Sequence, residues 1–299
     1  MSFDKSKISI KEAAKILKSI YNLDGEISLL DGEIDFNFKV VLNNSKKYLL
    51  KISRSSFEQE YIDYQVLLLE HLNKNSKIEL PKLVLSIDNK KSSIIQDVHG
   101  YDRSVRLMSW IDGRLWSSVN PITKSLRYKL GYLCSELSKS FQDFKHPYAD
   151  KEIEWDVAKS LWVESYLDKF DLEKIKILKK FIKNFKDNLH LYQKLEKSII
   201  HNDINDNNII VSNDFLNPTV KSVIDFGDAV FSQTINDLAI TCSYGIMNLN
   251  DPLSGCIDIL EGYNQNRKIK DNELKLLYNL IAMRLVISVT KSSINKYKE

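Results

Sequence analysis

Hydrophobic periodicity changes once along this chain, near Gly113. Before that point Ile34, Phe36, Phe38, Val40 and Leu42 alternate with polar residues, Asn43-Asn44-Ser45 signals a turn, and Tyr48, Leu50 and Ile52 alternate again. Period two is what a half-buried strand requires, and two such runs around a short polar turn make an antiparallel hairpin. Lys51 falls on the hairpin face opposite Tyr48, Leu50 and Ile52. Helical spacing predicts helices over 8–22 and 57–73, with short strands near 82–87, 93–97 and 104–111. Beyond Gly113 the apolar residues recur at helical spacing, as Leu126, Leu130, Leu133, Leu137 and Phe141 within 121–145 and as Ile175, Leu178, Ile182, Phe185 and Leu189 within 172–196. Short strands near 198–200, 208–212 and 220–226 separate these blocks from a helical C-terminal stretch after 232. Strands gathered in one part and helices in another define an α+β arrangement rather than a βαβ series. The expected organisation is two lobes, 1–110 and 111–299, joined near 108–113.

Bulk properties narrow the function classes. The chain has 299 residues, 43% of them hydrophobic, enough to bury the core of one large domain or two lobes. With 43 basic and 40 acidic residues the net charge is +3, which gives no electrostatic reason to expect nucleic acid or a membrane surface as partner. Cys134, Cys242 and Cys256 form no CxxC pair and no zinc-ligand set, so neither a disulfide framework nor a structural zinc is expected. The polar N-terminal stretch lacks a signal-peptide core, and no run approaches the length of a membrane span. A cytoplasmic globular protein is the expectation.

The chemistry is concentrated in residues 199–230, IIHNDINDNNIIVSNDFLNPTVKSVIDFGDAV. His201, Asp203 and Asn208 stand as H-x-D-x-x-x-x-N between two apolar runs, and Asp225-Phe226-Gly227 begins 17 residues after Asn208. An Asp- and Asn-rich loop alone is a turn signal, because these side chains bond their own backbone. The joint pattern asks for more, since it is the order of a kinase catalytic loop followed by its metal loop. Phosphoryl transfer needs a carboxylate to orient the attacking hydroxyl, which Asp203 can supply. It also needs oxygen ligands for Mg2+, which Asn208 and Asp225 can supply.

These residues resemble the kinase-like superfamily of aminoglycoside phosphotransferases and choline kinases, and within it the hydroxylysine kinases. The likeness rests on HNDINDNNI at 201–209, VIDFGDAV at 223–230, YLLKIS at 48–53, VRLMSWIDGR at 105–114, Trp155-Asp156 and Arg284. It implies a protein-kinase-like fold with a small antiparallel β-sheet N-lobe and a larger, mainly helical C-lobe. It further implies Asp203 as catalytic base, Asn208 and Asp225 as metal ligands, and Lys51 on the nucleotide phosphates. Gly32 would lie in the phosphate loop, and backbone groups of Met108, Ser109 and Trp110 would meet the base of ATP or GTP. Asp237 would brace the catalytic loop from below, with His201 in support.

The chain departs from protein kinases. Only Gly32 stands where a glycine-rich loop is usual, its LDGEIDFNF context is acidic and would repel phosphates unless the carboxylates point away, and no A-P-E follows the metal loop. The helix glutamate that usually pairs the lysine falls on Gln65, with Glu58, Glu60 and Asp63 nearby, so the partner of Lys51 stays open. For a small hydroxylated amine or amino acid as acceptor, Arg114 and Arg284 are candidates for a carboxylate, and Asp206, Asp228 and Asp156 for an ammonium. Homoserine, choline or an aminoglycoside are alternative acceptors, and a nucleotide-binding module without catalysis is the alternative from another class.

Overall fold

The computed structural model describes residues 7–32 and 35–296. Ile34, at the head of the alternating run, lies outside the described residues. Contacts divide the chain into two compact units, Met1–Lys74 with Leu80–Ile111 and Asn75–Glu79 with Asp112–Glu299.

The first unit opens with α1 (Ile10–Tyr21), started by a reciprocal cap in which Ser9 Oγ accepts the Glu12 N–H and Glu12 Oε2 accepts the Ser9 N–H. Asn22, in the left-handed region at φ 50°, ends it. The strands are β1 (Gly25–Leu30), β2 (Phe36–Leu42) and β3 (Lys47–Ile52), then α2 (Gln59–Asn75), β4 (Leu83–Val84), β5 (Ser93–Gln96) and β6 (Asp102–Ser109). All pairings are antiparallel, in the order β1-β2-β3-β6-β4 with β5 also on β6. Phe38, Val40, Leu50, Ile52, Val105 and Leu107 form the core face of the sheet and cluster with Ala13, Leu17 and Ile20 of α1. β1 was not expected from sequence. It is the sheet's edge, where Ser28 and Leu29 are both exposed, so the strand carries no clean alternation.

The second unit contains β7 (Arg114–Leu115), a 3-10 turn Trp116–Ser118, α3 (Lys124–Ser140), 3-10 turns over Val157–Lys169, α4 (Leu172–Asp187), α5 (Leu189–Tyr192), β8 (Lys197–Ile200), β9 (Ile209–Val211), β10 (Val220–Val223), β11 (Val230–Gln233), α6 (Ile235–Gly245), α7 (Pro252–Tyr263) and α8 (Asp271–Lys296). The helix expected over 121–145 is shorter because Thr123 caps it, accepting the Leu126 N–H at 3.2 Å. The run expected over 172–196 is interrupted at Asn188, whose Nδ2 donates to the Asn184 carbonyl at 2.9 Å and closes α4. The turns over 157–169 were not expected either; Asp156 starts them by accepting the Ala158 N–H. α3 and α7 touch backbone to backbone. A Cβ on Gly131 would collide with the Ile259 carbonyl, and one on Gly262 with the Tyr128 carbonyl. Among the described residues the three cysteines are unbridged and buried, and no helix is long and apolar enough to cross a membrane.

Candidate active site

Two strand ribbons hold the two loops of the second unit side by side. β8 pairs with β11, Ile200 opposite Val230, and β9 pairs with β10, Ile209 opposite Val223. The loop 201–208 therefore leaves β8 and enters β9 beside the loop 224–229, which leaves β10 and enters β11. A backbone bond from the Ile224 N–H to the Asn208 carbonyl, 2.9 Å, joins them.

His201 ties them a second time. Its Nδ1 accepts the Asp203 N–H at 3.2 Å, so Nε2 carries the proton and donates to the Ile224 carbonyl at 3.1 Å. One buried imidazole thus spans from the residue at the centre of the first loop to the residue before Asp225. Burial lowers its pKa, which favours the neutral ring this tautomer needs. The ring also packs on Phe226, centroids 4.7 Å apart. Beneath the loop, Asp237 at the start of α6 accepts the N–H groups of His201 and Asn202, each at 2.8 Å. These bonds hold Asn202 in the left-handed region, φ 66°. Burial pushes the Asp237 carboxyl up to about 7, against the lowering effect of those two donors.

Asp203 is held from three sides. Its Oδ2 accepts the side-chain amides of Asn205 at 2.9 Å and Asn208 at 2.8 Å, and its Oδ1 accepts Arg284 Nη2 of α8 at 2.7 Å. Because Asn208 spends its nitrogen on Asp203, its Oδ1 meets no protein donor among the described residues. Asp225, exposed and at φ 63°, follows the Ile224 peptide bonded to Asn208. An amide oxygen beside an exposed carboxylate is an all-oxygen donor pair that suits a magnesium ion completing its shell with waters and phosphate oxygens. Among the described residues no three His, Cys, Asp or Glu side chains gather as a metal cluster.

The expected acceptor residues scatter. Asp228 lies in the loop 224–229, where burial first and then the charge of Asp203 push its carboxyl up to about 6. Lys151, which sequence did not single out, donates to the Gly227 carbonyl at 3.0 Å and opposes that rise. Asp206 is half-buried, burial raises its pKa, and its carbonyl accepts the Ser117 N–H. Asp156 is directed elsewhere, accepting Ser232 Oγ at 2.8 Å within a buried cluster that includes Asn236. Arg284, buried, donates to the carbonyls of Trp155 and Asn202 besides Asp203, and its guanidinium lies 4.8 Å from the Trp155 ring centroid. Arg114 faces the turn after β9, with Nε on the Ser212 carbonyl and its guanidinium over Phe215.

In the first unit, Lys51 Nζ lies 3.6 Å from Asp35 Oδ2, and Arg106 Nη2 lies 3.0 Å from the same oxygen. Gln65 does not take the glutamate's place, for its Oε1 accepts Arg106 Nη1. Asp35 and Arg106 were absent from the sequence expectations, and the acidity of LDGEIDFNF is explained in part by this inward-turned carboxylate. Gly32 is exposed between β1 and β2, where a Cβ would press on the Asp35 carbonyl. The Ser109 N–H donates to the Lys82 carbonyl and the Trp110 N–H to the Lys47 carbonyl, so these two donors serve the strand edge. Met108 is buried in β6, opposite Leu49 and Leu83.

A model of the phosphotransferase enzyme family matches residues 26–258. The hydroxylysine kinase of Mus musculus is 24% identical over 306 residues, spanning 94% of this chain and 81% of that protein. Among solved structures, an amicoumacin kinase in complex with AMP-PNP and Ca2+ superposes with a TM-score of 0.75 at 17% identity, covering 96% of this chain and 86% of that one. A microcompartment-associated aminopropanol kinase gives 0.74, also at 17% identity, over 94% and 88%. At such identity the two structures show a shared fold, and the α+β class expected from sequence is the one observed.

Proposed function

This chain belongs to the phosphotransferase enzyme family and is a small-molecule kinase, and we propose that it transfers the γ-phosphate of ATP or GTP to the hydroxyl of a small amine or amino acid, with hydroxylysine the first acceptor to test. The observation that carries this is the triple hold on Asp203 by Asn205, Asn208 and Arg284. A carboxylate so fixed is suited to orient an acceptor hydroxyl and take its proton. In the proposed step the acceptor oxygen bonds to the γ-phosphorus, the bridging P–O bond breaks, and the nucleoside diphosphate leaves with the electron pair.

Asn208 and Asp225 would hold magnesium, which when bound neutralises charge on the phosphate oxygens. Lys51 is assigned to the donor phosphates, Gly32 to the loop over them, and the Met108–Trp110 backbone to the base. Asp206 and Asp228 are assigned to the acceptor's ammonium group. Arg284, with its guanidinium committed to Asp203 and two carbonyls, is assigned to hold the base. Asp156 and Arg114, each engaged within the fold, are given no acceptor role. The names of the curated relatives support an amino-acid acceptor, and the AMP-PNP bound by the amicoumacin kinase supports a nucleotide donor.

The test is nucleoside diphosphate release by the purified chain with magnesium ATP or magnesium GTP against hydroxylysine, homoserine, choline and kanamycin. Turnover is expected with hydroxylysine, and Asp203→Asn should lower it by about 10²- to 10⁴-fold with nucleotide affinity nearly kept. Turnover of kanamycin alone would move the acceptor class. Nucleotide binding without turnover of any acceptor would favour a binding module.

A further inference from the structure

β3 and β6 pair so that Lys51 stands directly opposite Arg106. Two cations at opposed positions on one sheet face repel each other unless an anion lies between them. Asp35 Oδ2 is that anion, 3.6 Å from Lys51 Nζ and 3.0 Å from Arg106 Nη2, and the three side chains are almost wholly withdrawn from solvent at 6%, 12% and 3% exposure for Asp35, Lys51 and Arg106. Arg106 is held from its other side by Gln65 of α2. The carboxylate is therefore fixed from a rigid direction by a planar, charged fork, while the lysine end is a single ammonium on a flexible stem.

We infer that Asp35, rather than a carboxylate at the Gln65 position, is the positioning residue for Lys51, and that Arg106 anchors Asp35 while Lys51 engages the donor phosphates. This rests on the assignment of Lys51 to nucleotide under Proposed function. Arg106 gives the arrangement its economy of motion: the lysine can turn to an incoming phosphate without leaving Asp35 as an uncompensated buried charge. Without Asp35, Lys51 and Arg106 repel, and the ammonium loses a group that orders it toward an incoming nucleotide.

The sign of the effect is diagnostic. Deleting a negative charge near a phosphate site would by itself tighten nucleotide binding, whereas losing the positioning group weakens it. The experiment is a double-mutant cycle of Asp35→Asn and Lys51→Met, read as affinity for a fluorescent magnesium–ATP analogue without acceptor and as the split between kcat and nucleotide KM. Asp35→Asn is expected to weaken affinity about tenfold in the unmodified background and to have almost no further effect beside Lys51→Met, as coupled neighbours do. Asp35→Glu, which keeps the charge, should recover most of the loss; if Asp35→Asn fails to fold, Asp35→Asn combined with Arg106→Met, which leaves no unpaired guanidinium beside it, is compared with Arg106→Met in the same cycle, with the same non-additivity expected. Additive losses, or tighter binding in Asp35→Asn, overturn the inference alone. An unmodified chain that binds no magnesium nucleotide overturns both this inference and the function proposed above.

Discussion

Arg284 reaches from the middle of α8 to the loop 201–208 and donates Nη2 to Asp203 Oδ1 at 2.7 Å, across 81 residues of sequence. Its other terminal nitrogen serves the carbonyls of Trp155 and Asn202, so one guanidinium fixes the orientation of the carboxylate and the backbone that presents it. Replacing it with Met keeps the stem and removes all three bonds. Arg284→Met should lower kcat by about 10- to 100-fold, the penalty of a misplaced catalytic group, with little change in nucleotide KM. It should also cost about 2–3 kcal/mol, less than a wholly buried pair because Asp203 is 22% exposed. Steady-state kinetics and denaturant unfolding of the same variant measure the two effects.

With Asp228 on the acceptor's ammonium group, as proposed, the activity should have a pH limb. Burial and the neighbouring Asp203 charge raise its carboxyl to about 6, so it ionises between pH 5 and 7. An ammonium-bearing acceptor needs the ionised form, and kcat/KM should therefore rise with pH across that window. In Asp228→Asn the limb should vanish and the acceptor KM should rise by about tenfold or more. A limb that survives the substitution belongs to another group.

Asp237 links the loop to stability. Its pKa in the folded chain, raised to about 7 by burial, lies above that of an unfolded aspartate, so the folded state holds the proton more tightly. That contribution is present at low pH and is lost as pH rises through about 7. Against Asp237→Asn, which cannot titrate, the unmodified chain should lose relative stability between pH 4 and 8. The variant turns an amide N–H toward a backbone N–H and should cost about 1–3 kcal/mol near neutrality. Thermal melting across that pH range measures both.

Gly131 separates packing from propensity. Helix propensity alone predicts that Gly131→Ala in α3 stabilises by about 1 kcal/mol. The Ile259 carbonyl occupies the space that the methyl group would take, so the substitution should instead destabilise by about 1–3 kcal/mol. Gly262→Ala should behave alike because Tyr128 opposes it in the same manner. The denaturant midpoint decides between the signs.

The loop residues His201, Asp203, Asn208 and Asp225 stood out because they lie close together in one stretch of sequence, although the bonds from His201 to Ile224 and from Arg284 to Asp203 reach well beyond any local pattern. The hairpin carrying Lys51 was legible because its two faces differ in polarity. Asp35 and Arg106 were not, since their contact joins residues 71 apart and depends on strand register that no local pattern reveals. Arg284 was singled out as a candidate for an acceptor carboxylate, and its bond to Asp203 was not foreseen for the same reason. Its chemistry suits any carboxylate, and only the packing of α8 puts it against Asp203. The 3-10 turns over Val157–Lys169 have neither a helical nor a strand period, and the edge strand β1 has no clean alternation to read.

The imidazole between the two loops bears on how this protein can change over generations. His201 must accept on one side and donate on the other across a flat, inflexible ring, and it must stay uncharged to do so. Asparagine and glutamine carry a donor and an acceptor too, but on one rotating carbon, and no other side chain combines the two across a rigid span. The positions proposed to face the acceptor, Asp206 and Asp228, can by contrast diverge toward new substrates one substitution at a time. Position 201 has no amino acid of like geometry to drift through, and a lineage that loses it keeps only the Ile224–Asn208 backbone bond and the strand pairing to align the two loops.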